Sequence, residues 1–250
     1  MVLSRLRCLL ATSDLLAYNL RNRDKWIADQ AATVPRGTRV LDVGAGSAPY
    51  RALFAGCDYK TQDFAQLKHE QLRNGGYAPI DFVSEADAIP VPDGSFEVIL
   101  CTEVLEHVSE PIRVVREFGR ILAPGGRLIL TAPLGSGIHQ EPYHFYGGYT
   151  PYWYRRFLTE AGFQSIEIAA KAGSLRHVAQ ETIRFVQMTR PFGLAAPWYV
   201  QLLWAPVWLA LTPILAIGVP LAARLLDRFD HEQRFTVGYH VTAVRMGANS

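Results

Sequence analysis

Apolar positions along this chain change their period in a regular order. Arg39–Val43 is a short, nearly continuous apolar run ending in glycines, as a strand buried on both faces would be. Tyr59–Phe64, Ile80–Val83 and Phe96–Cys101 follow as further strand candidates, the last opened by the turn Pro92-Asp93-Gly94-Ser95. Ile112, Val115, Phe118, Ile121 and Leu122 then recur at helical spacing, and Ala123-Pro124-Gly125-Gly126 ends that helix. Arg127–Thr131 predicts a fifth strand. Thr150-Pro151 reads as an N-cap followed by proline at the first helical position, with Gly162 closing the helix. Phe163–Ala169 and Phe235–Met246 alternate as a sixth and a seventh strand. Strands separated by helices predict an α/β fold, a doubly wound and mainly parallel seven-stranded sheet with helices on both faces.

Two segments lie outside that alternation. In residues 1–35, Leu3, Leu6, Leu10, Ala17 and Leu20 fall on one helical stripe, which predicts an amphipathic helix. It packs on the domain or lies in a membrane interface, with Arg5, Arg7, Arg21, Arg23 and Lys25 near lipid phosphates. Arg5, Arg7 and Asp14 interrupt the apolar run and no small-x-small cleavage site follows, so an export signal is not expected. The second segment is residues 171–234, an insertion between strands six and seven. Its residues 191–223 carry no Asp, Glu, Lys or Arg. The expected organisation is therefore 1–35, then a sheet domain of 36–170 with 235–250, interrupted by 171–234.

Composition narrows the field. At 250 residues the chain suits one α/β domain with its own core. A net charge of +2 makes no case for nucleic acid. Cys8, Cys57 and Cys101 are scattered, with neither disulfide nor metal spacing, so a reducing, cytoplasmic setting is expected.

The chemistry begins at Val40-Leu41-Asp42-Val43-Gly44-Ala45-Gly46-Ser47-Ala48-Pro49, a glycine loop after the first strand that should open a helix. Pro49 stands where a dinucleotide fingerprint has its third glycine, which favours a nucleoside ligand lacking a pyrophosphate. Asp63, with Phe64 beside it, ends the second strand, where a carboxylate can accept both hydroxyls of a ribose. With Ser84–Glu97, Cys101–Val108 and Leu122–Gly126 in order, the chain resembles the class I S-adenosylmethionine-dependent methyltransferases, in the group of the ubiquinone-biosynthesis enzymes.

The resemblance covers roughly residues 36–170 and the last strand. It implies that the last strand runs antiparallel between strands five and six. It also implies S-adenosylmethionine as cofactor, with Asp42, Gly44, Ala45 and Gly46 against its methionine and ribose portions, Asp63 and Phe64 at the ribose, and Glu85 and Ala86 at the adenine. Cys101 and Glu103 complete the cofactor set. Glutamate replaces the usual aspartate at position 85, which leaves Asp87 as its rival. Glu103, Glu106 and His107 match residues that bind a divalent metal in some ubiquinone O-methyltransferases; no metal is the leading expectation here.

Methyl transfer from a sulfonium needs donor and acceptor in line, and an oxygen acceptor must also lose a proton. The loop after strand five carries His139, Glu141, Tyr143 and His144, the candidate catalytic residues, with either histidine as base.

The resemblance hangs the apolar insertion above the mouth of that site. A single crossing would strand the seventh strand across the bilayer, and two full crossings need about 40 residues. The expectation is a helical hairpin bent at Thr212-Pro213 or Ile217-Gly218, dipping into one leaflet, with Trp198, Tyr199, Trp204 and Trp208 at headgroup level. The alternative is a buried helical cap. The expected function is O-methylation of a hydrophobic or lipid-linked acceptor at the inner face of the membrane. A soluble small molecule or sugar beneath a cap, and a non-catalytic cofactor-binding subunit at the membrane, are the alternatives.

Overall fold

The computed structural model describes residues 18–247. The predicted amphipathic stripe from Leu3 to Ala17, and Cys8, lie outside the described residues. Those residues form two compact units, residues 23–169 with 238–247 and residues 18–22 with 170–237.

The larger unit holds a seven-stranded sheet ordered β3-β2-β1-β4-β5-β7-β6. Its strands are β1 (Arg39–Val43), β2 (Asp58–Asp63), β3 (Phe82–Val83), β4 (Phe96–Thr102), β5 (Leu122–Pro133), β6 (Phe163–Ala170) and β7 (Gly238–Arg245). Strands β1 to β5 pair in parallel, whereas β7 runs antiparallel to β5 from Arg127–Val244 to Pro133–Gly238. Both the doubly wound sheet and its reversed last strand are as expected.

The strands read as apolar runs because both faces are covered. Val40, Leu41, Asp42 and Val43 are all buried. On one face, Val40, Val98, Leu100 and Ile129 pack with Tyr50, Phe54, Tyr59 and Ile27, the last from α1 (Tyr18–Ala31). Trp26 of α1 stacks on His240 of β7 with ring centroids 4.3 Å apart. The helices α2 (Pro111–Ile121) and α3 (Pro151–Glu160) bury Phe118, Ile121, Tyr154 and Leu158. The predicted cap of α3 is present, Thr150 Oγ1 accepting from the Trp153 amide at 3.3 Å.

Some predicted elements differ. The glycine loop opens only a 3-10 turn, Arg51–Phe54, where a helix was expected. Here Tyr50 and Phe54 already fill the sheet face that a longer helix would cover. Strand β5 starts at Leu122, five residues early. Tertiary pairing of Leu122 with Phe96 draws the Pro-Gly-Gly turn into the strand as an irregularity.

The smaller unit departs most from expectation. Its α4 (Ser174–Met188) is followed by α5 (Trp198–Pro213), a π-helical segment Ile214–Gly218 and α6 (Val219–Leu226). From Trp198 to Phe229 these run on as one helix of 32 residues. The predicted bend at Thr212-Pro213 or Ile217-Gly218 is absent. The π segment absorbs the register lost where Pro213 and Pro220 cannot donate, so the helix continues.

The chain nevertheless goes out and back, with α4 as the outgoing limb. Trp204 Nε1 donates to the Thr189 carbonyl at 2.7 Å, Trp208 Nε1 to Val186 at 3.0 Å, and Thr182 Oγ1 to Leu215 at 2.9 Å. Trp204 and Trp208 thus pin the limbs together, while Trp198 and Tyr199 are exposed. At the other end, Asp227 accepts from the amides of Gly173 and Arg176 at 3.0 and 3.1 Å, and Asp230 accepts from Ser174 at 2.6 Å. These acids cap α4 from the end of the returning helix. Gly173 has no side chain because a Cβ there would lie 2.6 Å from Asp227 Oδ1.

Asp227→Ala should loosen the base of the hairpin by about 1–2 kcal/mol, the usual cost of a lost N-cap. Hydrogen exchange at Gly173 and Arg176 should then quicken roughly tenfold, while β5 and β7 amides keep their protection.

Candidate active site

The carboxyl ends of the parallel strands gather the glycine loop (44–49), the β2 terminus, the loop 84–95, the β4 terminus and the loop 134–149. Ligands of doubly wound sheets bind at this edge. Gly44 and Gly46 take φ of +65° and +52°, and a Cβ on Gly44 would lie 2.4 Å from Val104 Cγ2. The loop therefore turns in a conformation that side chains disfavour, close against the β4 terminus.

The acids around this loop have different duties. Asp63 Oδ2 accepts from the Gly46 amide at 2.9 Å and Oδ1 from Ala65 at 2.9 Å. It fastens the glycine loop to the β2 terminus, and Phe64 packs edge-on against Tyr143 at 4.9 Å. Asp42 lies beneath the loop, buried, accepting a very short hydrogen bond from Tyr59 Oη. Burial raises its carboxyl to about 7 against that bond, and Asp63 pushes the same way. Ala45 and Ala86 are buried. Glu85 is exposed, whereas Asp87 is paired with Arg113 at 3.1 Å. Glu85 is thus the carboxylate open to a ligand.

Glu103 sits at φ +53° at the end of β4. Its Oε1 accepts from Thr131 Oγ1 at 2.7 Å, and Oε2 lies 3.7 Å from the Arg23 guanidinium. Cys101 is buried beside it, and burial pushes its thiol well above the ordinary value, so it is inert.

Three arrangements escaped the sequence reading. Arg23 is held by polar partners: its Nε donates to Tyr50 Oη at 3.2 Å, and Tyr50 donates to Asp24 at 2.8 Å. Gln62 joins two loops, accepting from Gly44 at 3.4 Å and donating to the Ser84 carbonyl at 2.5 Å. Glu117 accepts from the Ile89 amide at 2.8 Å while Arg120 holds the Ile89 and Val91 carbonyls at 3.0 and 2.8 Å. The polar positions of α2, Glu117 and Arg120, were the available signal for that last contact.

The loop 134–149 and the turn after β4 meet as one cluster. Phe145 and Tyr146 amides donate to the Glu106 carbonyl at 2.9 and 3.2 Å, and Tyr149 Oη donates to Leu105 at 2.5 Å. This brings the rings of His107, His139 and His144 within 4.7–5.6 Å of one another, centroid to centroid. The two predicted bases are therefore together, joined by a histidine assigned to a different set. Burial lowers His107 to about 4, its bond to the Tyr143 carbonyl opposing, so its ring is neutral at pH 7. Burial, and then His139, lowers His144 as well. Ser136 Oγ donates to the Gly147 carbonyl at 3.1 Å, so at 3.0 Å it accepts from His144 Nε2–H, which leaves Nδ1 with its lone pair. Of the other candidates, Tyr143 Oη donates to Gln66 at 2.9 Å, and Glu141 is exposed.

Residues 41–130 match the family described as a methyltransferase domain. These residues resemble a class I methyltransferase domain. The chain is similar to the ubiquinone/menaquinone biosynthesis C-methyltransferase of Photorhabdus laumondii, 28% identical over 150 residues, 53% of this chain and 60% of that protein. It is also similar to the ubiquinone biosynthesis O-methyltransferase of Pseudomonas aeruginosa, 33% identical over 119 residues, 44% of this chain and 49% of that protein. The chain thus spans about half to three fifths of the length of these relatives. Among solved structures, the [4+2]-cyclase SpnF superposes with a TM-score of 0.54 at 18% identity, covering 91% of this chain and 81% of that one. That likeness concerns the fold alone.

A pH test isolates Asp42. Its carboxyl binds a proton more tightly folded, at about 7, than at its ordinary value of 3.8. The stabilisation is complete below pH 4 and disappears as the pH rises through 7. Asp42→Asn should abolish this dependence. Wild-type stability relative to the variant should fall by a few kcal/mol between pH 4 and 7, at about 1.4 kcal/mol per pKa unit, in urea midpoints.

Proposed function

We propose that this protein is an S-adenosylmethionine-dependent methyltransferase that methylates an oxygen of a hydrophobic acceptor at a membrane surface. The observation carrying the activity is the methyltransferase match over residues 41–130 together with a glycine loop, Asp63 and an open Glu85 at one sheet edge. The similar quinone methyltransferases support an oily acceptor.

The residues divide the work. The cofactor supplies an electrophilic methyl group on a sulfonium. The glycine loop, held open by Asp63 and Gln62, receives its amino-acid and ribose portions, and Glu85 takes the adenine amine. Holding donor and acceptor in near-attack geometry is the main contribution. His144 accepts the acceptor hydroxyl proton through Nδ1, with Ser136 fixing the ring by its bond to Nε2.

The membrane part of the reading rests on the smaller unit. The helix Trp198–Phe229 is long and apolar enough to cross a bilayer by length and composition, and its most apolar window is unburied. Because this helix returns alongside α4, the hairpin tip is the part suited to lipid. There Phe185, Met188, Phe192, Trp198 and Leu203 are exposed, with Arg190 as the charge able to reach phosphate. Docking at the inner face would hold the enzyme where such an acceptor resides.

Labelled S-adenosylmethionine supplied with total membrane lipid or with soluble metabolites should label the lipid fraction; label in the soluble fraction alone would overturn the oily acceptor. His144→Ala should lower kcat about 10²–10⁴-fold with little change in cofactor affinity. Gly44→Ala should weaken cofactor binding about tenfold or more by calorimetry, since the left-handed turn alone costs about 1–2 kcal/mol. Phe192→Asp with Trp198→Asp should abolish flotation with anionic vesicles and leave cofactor binding intact.

A further inference from the structure

Residues 64–79, the strap between β2 and β3, are bonded to the glycine loop on one side and to the loop 134–149 on the other. Asp63 sets the start of the strap, accepting from the Ala65 amide with one oxygen and from Gly46 with the other, at 2.9 Å each. The end of the strap returns to the same glycine, the Ala78 amide donating to the Gly46 carbonyl at 3.0 Å. Between them Leu72 is buried, its Cδ2 3.2 Å from where a Cβ on Gly46 would stand. Arg73 fastens the outer side, donating to both oxygens of Asp24 at 2.9 and 2.5 Å.

Two glutamines join this strap to the loop that carries His139 and His144. Gln71 Nε2 donates to the Glu141 carbonyl at 3.1 Å, and Gln140 Nε2 donates back to the Gln71 carbonyl at 3.0 Å. Gln71 Oε1 accepts from the Lys68 amide at 2.9 Å, so both ends of its side-chain amide are engaged. Tyr143 adds a third link, through Gln66 and the edge of Phe64. Gln140 makes its contact from φ +51°, and Ala65 at the start of the strap has φ +58°. Residues other than glycine persist in that left-handed region only where their surroundings hold them, and such outliers gather at switch regions and ligand clamps.

We propose that Gln71 and Gln140 are positioning residues that couple the glycine loop to the histidine loop, so that bound cofactor orders the loop meeting the acceptor. This rests on the methyltransferase reading above. A ligand on Gly44 and Gly46 restrains the glycine loop, and Leu72 with the Gly46 carbonyl passes that restraint to the strap. The Gln71 carbonyl and side-chain amide then pass it to residues 140–143. An acceptor arriving afterwards meets a loop already ordered, loses less conformational entropy and binds more tightly. Cofactor therefore precedes acceptor, and His144 is not set around an acceptor lacking a methyl donor. Both glutamines act through the loop.

Hydrogen exchange of the full chain with and without S-adenosylhomocysteine, the demethylated cofactor, tests this beside calorimetry of the same ligand. In the wild-type protein the ligand should slow exchange about tenfold at the Tyr143 and Phe145 amides, which donate to the Gln140 and Glu106 carbonyls. In Gln140→Ala the slowing should shrink below about twofold, although the ligand still binds and still protects Ala45 and Gly46. Gln140→Gly relieves the backbone strain without restoring the bond, and should behave as Gln140→Ala does. Full slowing in either variant would overturn the role of the side chain. Gln71→Ala also releases the Lys68 amide, so Gln140→Ala, which leaves the strap's own bonds in place, decides wherever the two differ. Ligand binding with no slowing at Tyr143 and Phe145 in the wild-type protein would overturn the coupling alone. Failure of the ligand to bind would sink the methyltransferase reading and the coupling with it.

Discussion

The pairing of β7 with β5 is the constraint on which the rest of this molecule depends. Seven residues of β7, from Gly238 to Val244, oppose Pro133 to Arg127, and most are buried. Backbone groups in such a place have no alternative partner, so the strand has to return to the sheet whatever the preceding 67 residues of insertion, 171–237, do. The chain satisfies this with α4 going out and one long helix coming back, closed at the base by Asp227 and Asp230.

Backbone capture by side chains plays a comparable part at the ligand edge. Asp63 and Gln62 hold the glycine loop by its amides, Glu117 and Arg120 hold the loop 84–95, and the Glu106 carbonyl anchors the histidine loop. Loops carry high conformational entropy, and a site assembled from five of them keeps its geometry through such cross-links. The same fastening draws His107, His139 and His144 into one cluster, although positions 107 and 139 are far apart in the chain.

Much of this was legible beforehand. Each predicted strand exists within a few residues, since the apolar side chains of a run such as Arg39–Val43, Val40, Leu41 and Val43, are driven out of water. Thr150-Pro151 specified its helix start through local capping chemistry alone. The motif order from Asp42 to Gly126 led to the methyltransferase family, which the match over 41–130 bears out. Predictions failed where a local rule met a distant partner. Proline spacing argued for a bend at Pro213, yet a π segment and packing against α4 kept the helix running. Arg23 resembled a surface charge until folding placed it beside Glu103 and Tyr50.

The sequence by itself determined the strand order's raw material, the reversal of period from strand to helix, the glycine loop and the presence of a charge-free segment. These follow from solvent exclusion and backbone sterics acting within a few residues. Only the tertiary structure decided which carboxylates are engaged, pairing Asp87 with Arg113 while Glu85 stays exposed, and placing Glu103 beside Arg23 and Thr131. It alone joined two histidine sets into one. Such choices depend on which groups the sheet edge brings within hydrogen-bonding distance, and distance across a fold is not encoded by spacing along a chain.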